Sequence, residues 1–200
     1  SLNETVSKDN AVITGQKSRA ELEFNDGTLT RLGQLTSFTF VQGTRELQIK
    51  QGTALFVVPK GLGGTTIQAG PVTAAITGTT LMVQVVGGRA IIYVYEGSVV
   101  VAGHTLTAGQ VISIDGSDVV VKKFDTSKGV ATAALFTKFI QSPSAKLVEK
   151  ELANILSTAG SKVGGRNDLN DNAVLNPKLE HGHHEYPYGD FYPEDQFQEP

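Results

Sequence analysis

Ala90-Ile91-Ile92-Tyr93-Val94-Tyr95-Glu96-Gly97-Ser98-Val99-Val100-Val101 is the stretch on which the fold turns. Residues 90–95 and 99–101 are apolar at every position, and β-branched and aromatic types dominate. Such short runs suit extended backbone, where branched side chains lose little freedom. With no polar side to give to water, both runs read as central strands covered on both faces.

Working outward, the same signal covers residues 11 to 125. Val, Ile, Thr and Phe occur in short runs broken by glycine at 15, 27, 43, 52, 61, 70, 78, 87 and 97, roughly every nine or ten residues. That spacing fits a strand plus a turn. Leu47 and Ile49 alternate with Glu46, Gln48 and Lys50, as in a strand with one wet face. Asn25-Asp26-Gly27 separates two apolar runs, Ala20–Phe24 and Thr28–Leu32, and Asp115-Gly116 separates Val111–Ile114 from Val119–Val121. Both Asp-Gly pairs suit type I′ hairpins, because glycine accepts positive φ at little cost. The expectation is a mainly β body over residues 1–125, many short strands forming a single sandwich or a short solenoid.

Helix signals come later. Ser142-Pro143 is a start signal, and Leu147, Val148, Leu152, Ile155 and Leu156 make one apolar stripe that Gly160 would stop. A shorter helix is expected over Val130–Ile140. The segment 126–160 is thus read as helical and packed on the body, and 161–200 as an extended tail.

Composition excludes several classes. No apolar run approaches the ~20 residues of a spanning helix. Cysteine is absent, so neither a disulfide framework nor a thiolate metal site exists. Net charge is −3, too small to argue for nucleic acid. The charge is uneven. Residues 161–200 hold eight acids and three bases, whereas residues 1–160 hold 12 acids and 14 bases. The first residue is Ser1 and no basic-then-apolar leader follows, which implies that a signal peptide has been removed or that the chain was cut there.

Specific residues then carry a resemblance. Thr14-Gly15-Gln16-Lys17-Ser18-Arg19-Ala20-Glu21-Leu22, Phe24, Asp26-Gly27-Thr28 and Arg31-Leu32-Gly33 look like the opening of a FecR domain. Leu47, Gln51-Gly52, Ala54-Leu55-Phe56 and Val58-Pro59-Lys60 continue the pattern. Ala74-Ala75-Ile76-Thr77-Gly78-Thr79-Thr80 resembles the family's GT-x-F step, with Leu81 in place of the aromatic. Tyr95-Glu96-Gly97-Ser98-Val99 resembles its closing LEGSV strand, and Ala108-Gly109-Gln110 its AGQ turn. The resemblance spans residues 11–115. It implies an all-β domain on the periplasmic or outer side of a two-membrane bacterium, with no catalytic residues to carry over. Regulators of the family bring a cytoplasmic anti-sigma segment and a membrane helix. This sequence displays neither, so the resemblance points to a stand-alone exported member.

The residues themselves offer little chemistry. Gly61-Leu62-Gly63-Gly64-Thr65 is glycine-rich, but a strand-like segment follows where a phosphate cradle needs a helix. His104, the only histidine of the body, reads as an exposed turn residue. Glu21 and Glu23 share one strand face and read as solvated, with Arg19 or Arg31 alongside. His181, His183, His184, Glu185 and Asp190 are potential ligands for zinc, nickel or copper, but their spacing is tight and irregular. Asn3-Glu4-Thr5 matches a glycosylation sequon that reads as chance. No enzyme activity, cofactor or metal is expected.

The tail is the unusual feature. Tyr186, Tyr188, Phe191, Tyr192 and Phe197 are five of the 14 aromatics, within the last 15 residues. Solvated segments are poor in aromatics, whereas tyrosine suits interfaces. These five residues are therefore the expected self-association site. The tail would cross to a neighbouring copy as an added strand or clamp, and an open exchange of that kind builds a filament. Ser1–Asn10 is short and polar, so one sheet edge is also expected to lack its partner. The leading expectation is an exported subunit that self-associates through edge pairing and its tail, as in an extracellular filament. The alternative is a periplasmic signalling module that binds an outer-membrane receptor domain. Carbohydrate or cell-wall binding comes third, without an aromatic platform in the body to support it.

Overall fold

A computed structural model of the chain describes residues 11–41, 44–139 and 144–163, with side chains through residue 159. Among the described residues thirteen strands form: β1 (Val12–Ile13), β2 (Ala20–Glu23), β3 (Leu29–Leu32), β4 (Ser37–Phe40), β5 (Glu46–Val57), β6 (Thr65–Ala69), β7 (Val72–Ile76), β8 (Thr80–Val86), β9 (Arg89–Glu96), β10 (Ser98–Val101), β11 (His104–Thr107), β12 (Gln110–Asp115) and β13 (Asp118–Lys123). Helices α1 (Thr126–Thr132), α2 (Ala134–Thr137) and α3 (Ala145–Val163) follow. The expectation of a mainly β chain with helices after it holds.

The long strand β5 organises the sheet. Its first half pairs with β4 and, in parallel, with β6; its second half pairs with β3 and β8. Through β5 one continuous sheet curls over on itself, in the order β11-β10-β7-β6-β5-β8-β9-β12-β13, with β1 and β4, and β2 and β3, branching off. The bend falls at Gly52, whose φ is +97°. A Cβ there would lie 2.3 Å from Thr36 Oγ1 and 2.5 Å from Thr36 Cα, so only glycine fits. Where strands switch halves, ladder partners run out and threonine hydroxyls replace them. The Thr53 N–H donates to Thr36 Oγ1 at 3.1 Å, and Thr36 Oγ1 donates to the Thr53 carbonyl at 3.2 Å. Thr79 Oγ1 donates to the Ser98 carbonyl at 2.8 Å.

The inward faces of the two halves meet in one core of Leu32, Phe38, Ile49, Phe56, Ile67, Leu81, Val83, Ile92, Val94, Val99 and Ile112. The half made of β3, the end of β5, β8, β9 and β12 has a second core on its outer face. There Leu55, Met82, Tyr93 and Tyr95 pack under Val130, Leu135, Phe136, Val148 and Ile155 of the helices. The layers are therefore a bare half, a covered half and a helical cover. Ala90–Tyr95 is covered on both faces, as expected.

Several local expectations are corrected. Val99 and Val101 are buried, but Val100 is 50% exposed, because no described element covers the outer face of β10. Both Asp-Gly hairpins form with other turns. Asp26 keeps negative φ and only Gly27 is left-handed, so the loop is a turn closed by the Gly27 N–H on the Phe24 carbonyl. In the second hairpin Asp115 pairs with Asp118, and Gly116-Ser117 is the loop. Glycine in first position suits type II′. Positive φ at both loop residues, the type I′ signature, falls instead at Ala102-Gly103 and Gly87-Gly88. The single helix over Val130–Ile140 is two short ones, broken at Ala133 (φ −75°, ψ 118°). Asp125 caps the first, accepting from Ser127 N–H and Lys128 N–H. Leu156 is 45% exposed and off the buried stripe, and α3 continues through Gly160, since a single glycine costs a helix only about 1 kcal/mol. Ser142-Pro143 lies outside the described residues.

Candidate interaction surface

Open sheet edges are where this architecture can meet another chain. Among the described residues, β1, β2, β11 and β13 each pair with a neighbour on one side only. Three of these edges are guarded. β1 has two residues and β11 four. β2 has four residues and ends on the exposed Glu23, and charge on an edge repels a docking strand.

β13 is different. It is six residues long and exposed throughout, and Val119, Val120 and Val121 are 38%, 47% and 39% accessible. Its faces follow from register. Val119 and Val121 lie opposite Ile114 and Ile112, on the inward face; Val120 and Lys122 lie opposite Ser113 and Val111, on the face that carries the helices. Asp118 opens the strand, and Lys122 and Lys123 close it. A charge-flanked triplet of β-branched residues is visible in the sequence, and such flanks commonly guard a sticky strand. Local pattern shows it only as a hairpin arm, because exposure of a strand depends on what the rest of the chain leaves uncovered.

A second surface lies on the bare half. Thr39 Oγ1 donates to Gln48 Oε1 and Gln48 Nε2 to Gln68 Oε1, both at 3.0 Å. These groups line a shallow groove of about 270 Å³ with Phe40, Glu46, Thr66 and Thr73. Phe40 is not a free stacking platform, since its ring meets Phe24 edge-on at 5.3 Å.

The helical cover is held by a buried cation. Arg31 is 1% exposed, and its Nε donates to Glu21 Oε2 at 2.7 Å from directly across the β2–β3 ladder. Its Nη1 donates to the carbonyls of Leu135 at 2.9 Å and Phe136 at 3.3 Å, and its guanidinium lies 4.4 Å from the centre of the Phe139 ring. Glu21 is thus the partner of Arg31 and not a solvated carboxylate, which corrects the reading of the Glu21/Glu23 pair. Beside it Tyr95 meets Phe136 at 4.9 Å and Phe124 at 5.2 Å, and burial pushes its phenol far up, with Tyr93 adding to the effect. Where α3 meets the sheet, Thr80 Oγ1 donates to Glu151 Oε2 at 3.4 Å, and Lys60 Nζ pairs with Glu96 Oε1 at 2.6 Å. Burial raises the Glu151 carboxyl above its ordinary range, and the charge of Glu96 raises it further. The hydrogen bond and charge of Glu96 raise Lys60.

Of the residues singled out in the sequence, His104 opens β11 and is exposed. The glycine-rich loop joins β5 to β6, as a plain connection. Tyr186, Tyr188, Phe191, Tyr192, Phe197, the histidines His181, His183 and His184, and Asn3 lie outside the described residues.

This curled sheet with its crossing glycines defines a class. Residues 10–100 match the profile of a family described as FecR protein. The match runs from just before β1 into β10, so this part of the chain is similar to a FecR domain. Two crystal structures of a candidate anti-sigma factor from Parabacteroides distasonis, at 1.65 Å and 2.50 Å resolution, share the fold with a TM-score of 0.53 and 18% identity. The likeness covers 61% of this chain and 63% of theirs, so the chain spans under two thirds of their length. No curated protein matches it in sequence. Among the described residues no helix is long and apolar enough to cross a membrane.

Proposed function

We propose that the chain is a non-catalytic, regulatory protein-binding module, working on the periplasmic or outer side of the cell and relaying the state of an outer-membrane receptor domain. The observation that carries this reading is the FecR-domain match over residues 10–100, together with a fold shared with a candidate anti-sigma factor. A sheet with one open six-residue edge and two packed cores suits recognition of another protein's extended segment. The test is titration of the full chain with the periplasmic signalling domain of a receptor from the same cell. Saturable one-to-one binding with a dissociation constant of about 1–100 μM is expected, typical of transient signalling contacts. Absence of binding at roughly 500 μM, with the fold intact by circular dichroism, would overturn it.

One observation favours a second reading, an exported subunit that self-associates into an extracellular filament: the six-residue exposed edge at β13 with its three consecutive valines. The aromatic tail (Tyr186, Tyr188, Phe191, Tyr192 and Phe197) would make the longer-range contact. Electron microscopy of the concentrated full chain should then show filaments, and deletion of residues 166–200 should leave folded single copies. Isolated particles at every concentration would end that reading.

A further inference from the structure

We infer that β13 is a self-complementary docking edge, at which two copies pair antiparallel across a two-fold axis through Val120. The inference goes beyond the regulatory reading and does not depend on it.

Three observations carry it. The first is backbone direction. The Phe124 N–H donates to the Gly109 carbonyl at 2.9 Å, and Asp118 closes a two-residue hairpin loop against Asp115. Hydrogen-bonding direction alternates along a strand, so even-numbered residues of β13 bond inward to β12. Val119, Val121 and Lys123 therefore turn their N–H and C=O groups away from the sheet. The second is face. A two-fold axis perpendicular to the sheet keeps inward faces on the same side in both copies, which requires partners of the same parity.

The third is the sequence of the strand, Asp118-Val119-Val120-Val121-Lys122-Lys123. With Val120 opposite Val120, Val119 of each copy faces Val121 of the other, and Asp118 faces Lys122 twice. The outward-turned groups of Val119 and Val121 then meet each other, as a hydrogen-bonded pair requires. Opposite charges and β-branched residues stand directly across from one another, the pairs that stabilise antiparallel sheets. Moving the axis to Val121 sets Lys122 against Val120 and Lys123 against Val119. Moving it to Val119 leaves Lys122 beyond the partner's strand. An odd shift turns every side chain to the wrong face. One register satisfies backbone, apolar and charged groups together.

Such a contact is isologous, so it closes at two copies. It is also small, and small interfaces bind weakly. A dimer with a dissociation constant of roughly 10–100 μM follows.

The test is sedimentation velocity of the full chain from about 5 to about 500 μM, a range that brackets that constant. Asp118→Lys or Lys122→Asp alone places like charges opposite each other twice, and each should weaken the dimer about tenfold. The double exchange, Asp118→Lys with Lys122→Asp, restores opposite pairs and should return affinity to within about threefold of the original. Val121→Pro removes an outward N–H without touching the β12 ladder, and should abolish the dimer while thermal unfolding stays cooperative. The inference is overturned if the chain stays single to the highest concentration, if it grows past two, if the double exchange is weaker than either single, or if Val121→Pro dimerises as before. The first and last outcomes would leave β13 to a strand of another protein or to the chain's own tail.

Discussion

The covered and bare halves of the sheet are built from similar strands, and they differ in what their outer faces carry. On the covered half the outward positions are Leu55, Met82, Tyr93 and Tyr95, all buried beneath the helices. On the bare half they are Gln48, Gln68, Thr73, Ala75, Val100 and Thr105, polar or small, with Val100 the exception. The outer face of a strand is thus written for a cover supplied from elsewhere in the chain. Tyr93 and Tyr95 anticipate a helix thirty to sixty residues downstream, and Gln48 and Gln68 anticipate water. β13 belongs to the covered half in sheet order, yet among the described residues it is exposed throughout, and it carries valines on both faces. It reads like a strand of the covered half that still lacks its cover, which is why its edge is the place to look for a second chain.

Unpinning the cover would make the two halves alike, and that is the largest effect expected. Arg31→Ala removes the buried guanidinium that pairs with Glu21 at 2.7 Å, and takes the donors from the Leu135 and Phe136 carbonyls. Breaking one side of a buried pair typically costs about 3–5 kcal/mol, so urea denaturation should show a loss of about 4 kcal/mol. Arg31→Lys should recover little, because an ammonium cannot reach both sides with a planar fork. A loss below about 1 kcal/mol would mean that the helices dock on apolar contact alone.

A neighbouring pair of residues sharpens the same contrast at smaller amplitude. Val99 is fully buried in the inner core and Val100 is half exposed on the bare face. Val99→Ala should cost about 2 kcal/mol through lost burial and a residual cavity. Val100→Ala should stay within about 0.5 kcal/mol. Similar losses at both, measured by the same denaturation, would mean that something covers the bare half.

That pair also marks the limit of what was legible beforehand. The β character, both hairpins at the Asp-Gly sites, the alternation of Leu47 and Ile49, and the double burial of Ala90–Tyr95 follow from local pattern, since period and residue type are local properties. The run 99–101 is too short to tell a two-sided strand from a one-sided one, and Val100 was misread. Gly52, Gly78 and Gly97 were legible as spaced glycines within motif pieces; that Gly52 bends β5, and that Gly78 and Gly97 sit where the chain passes between halves, depends on close contacts with Thr36, Lys60 and Thr79. Arg31 was legible as a neighbour of Glu21, but its burial and its hold on the helices were not, for a different reason. A charged side chain is read as exposed by default, and its partners Leu135 and Phe136 lie over a hundred residues away. The β13 edge was written plainly as three valines between charges, but its exposure is a property of the assembled sheet.

The smallest effect tests how tightly the long helix is held to the covered half. Glu151 of α3 sits by Thr80 and Glu96, and burial first, then the Glu96 charge, raises its carboxyl above the ordinary 4.5. The folded chain therefore binds that proton more tightly than the unfolded chain does. By linkage, this site's contribution is full below the ordinary value and is lost as pH rises through the raised one. Glu151→Gln keeps an oxygen for the Thr80 hydroxyl and never ionises. At pH 7 the variant should be more stable by about 0.5 kcal/mol, since the site is only partly buried and water screens it accordingly. Below about pH 4 the two proteins should converge, both neutral at this position. The opposite sign at pH 7, a less stable variant, would mean that the attraction of Lys60 and Lys150 outweighs burial and the Glu96 charge. The helix would then be held on the sheet by its charge and not in spite of it.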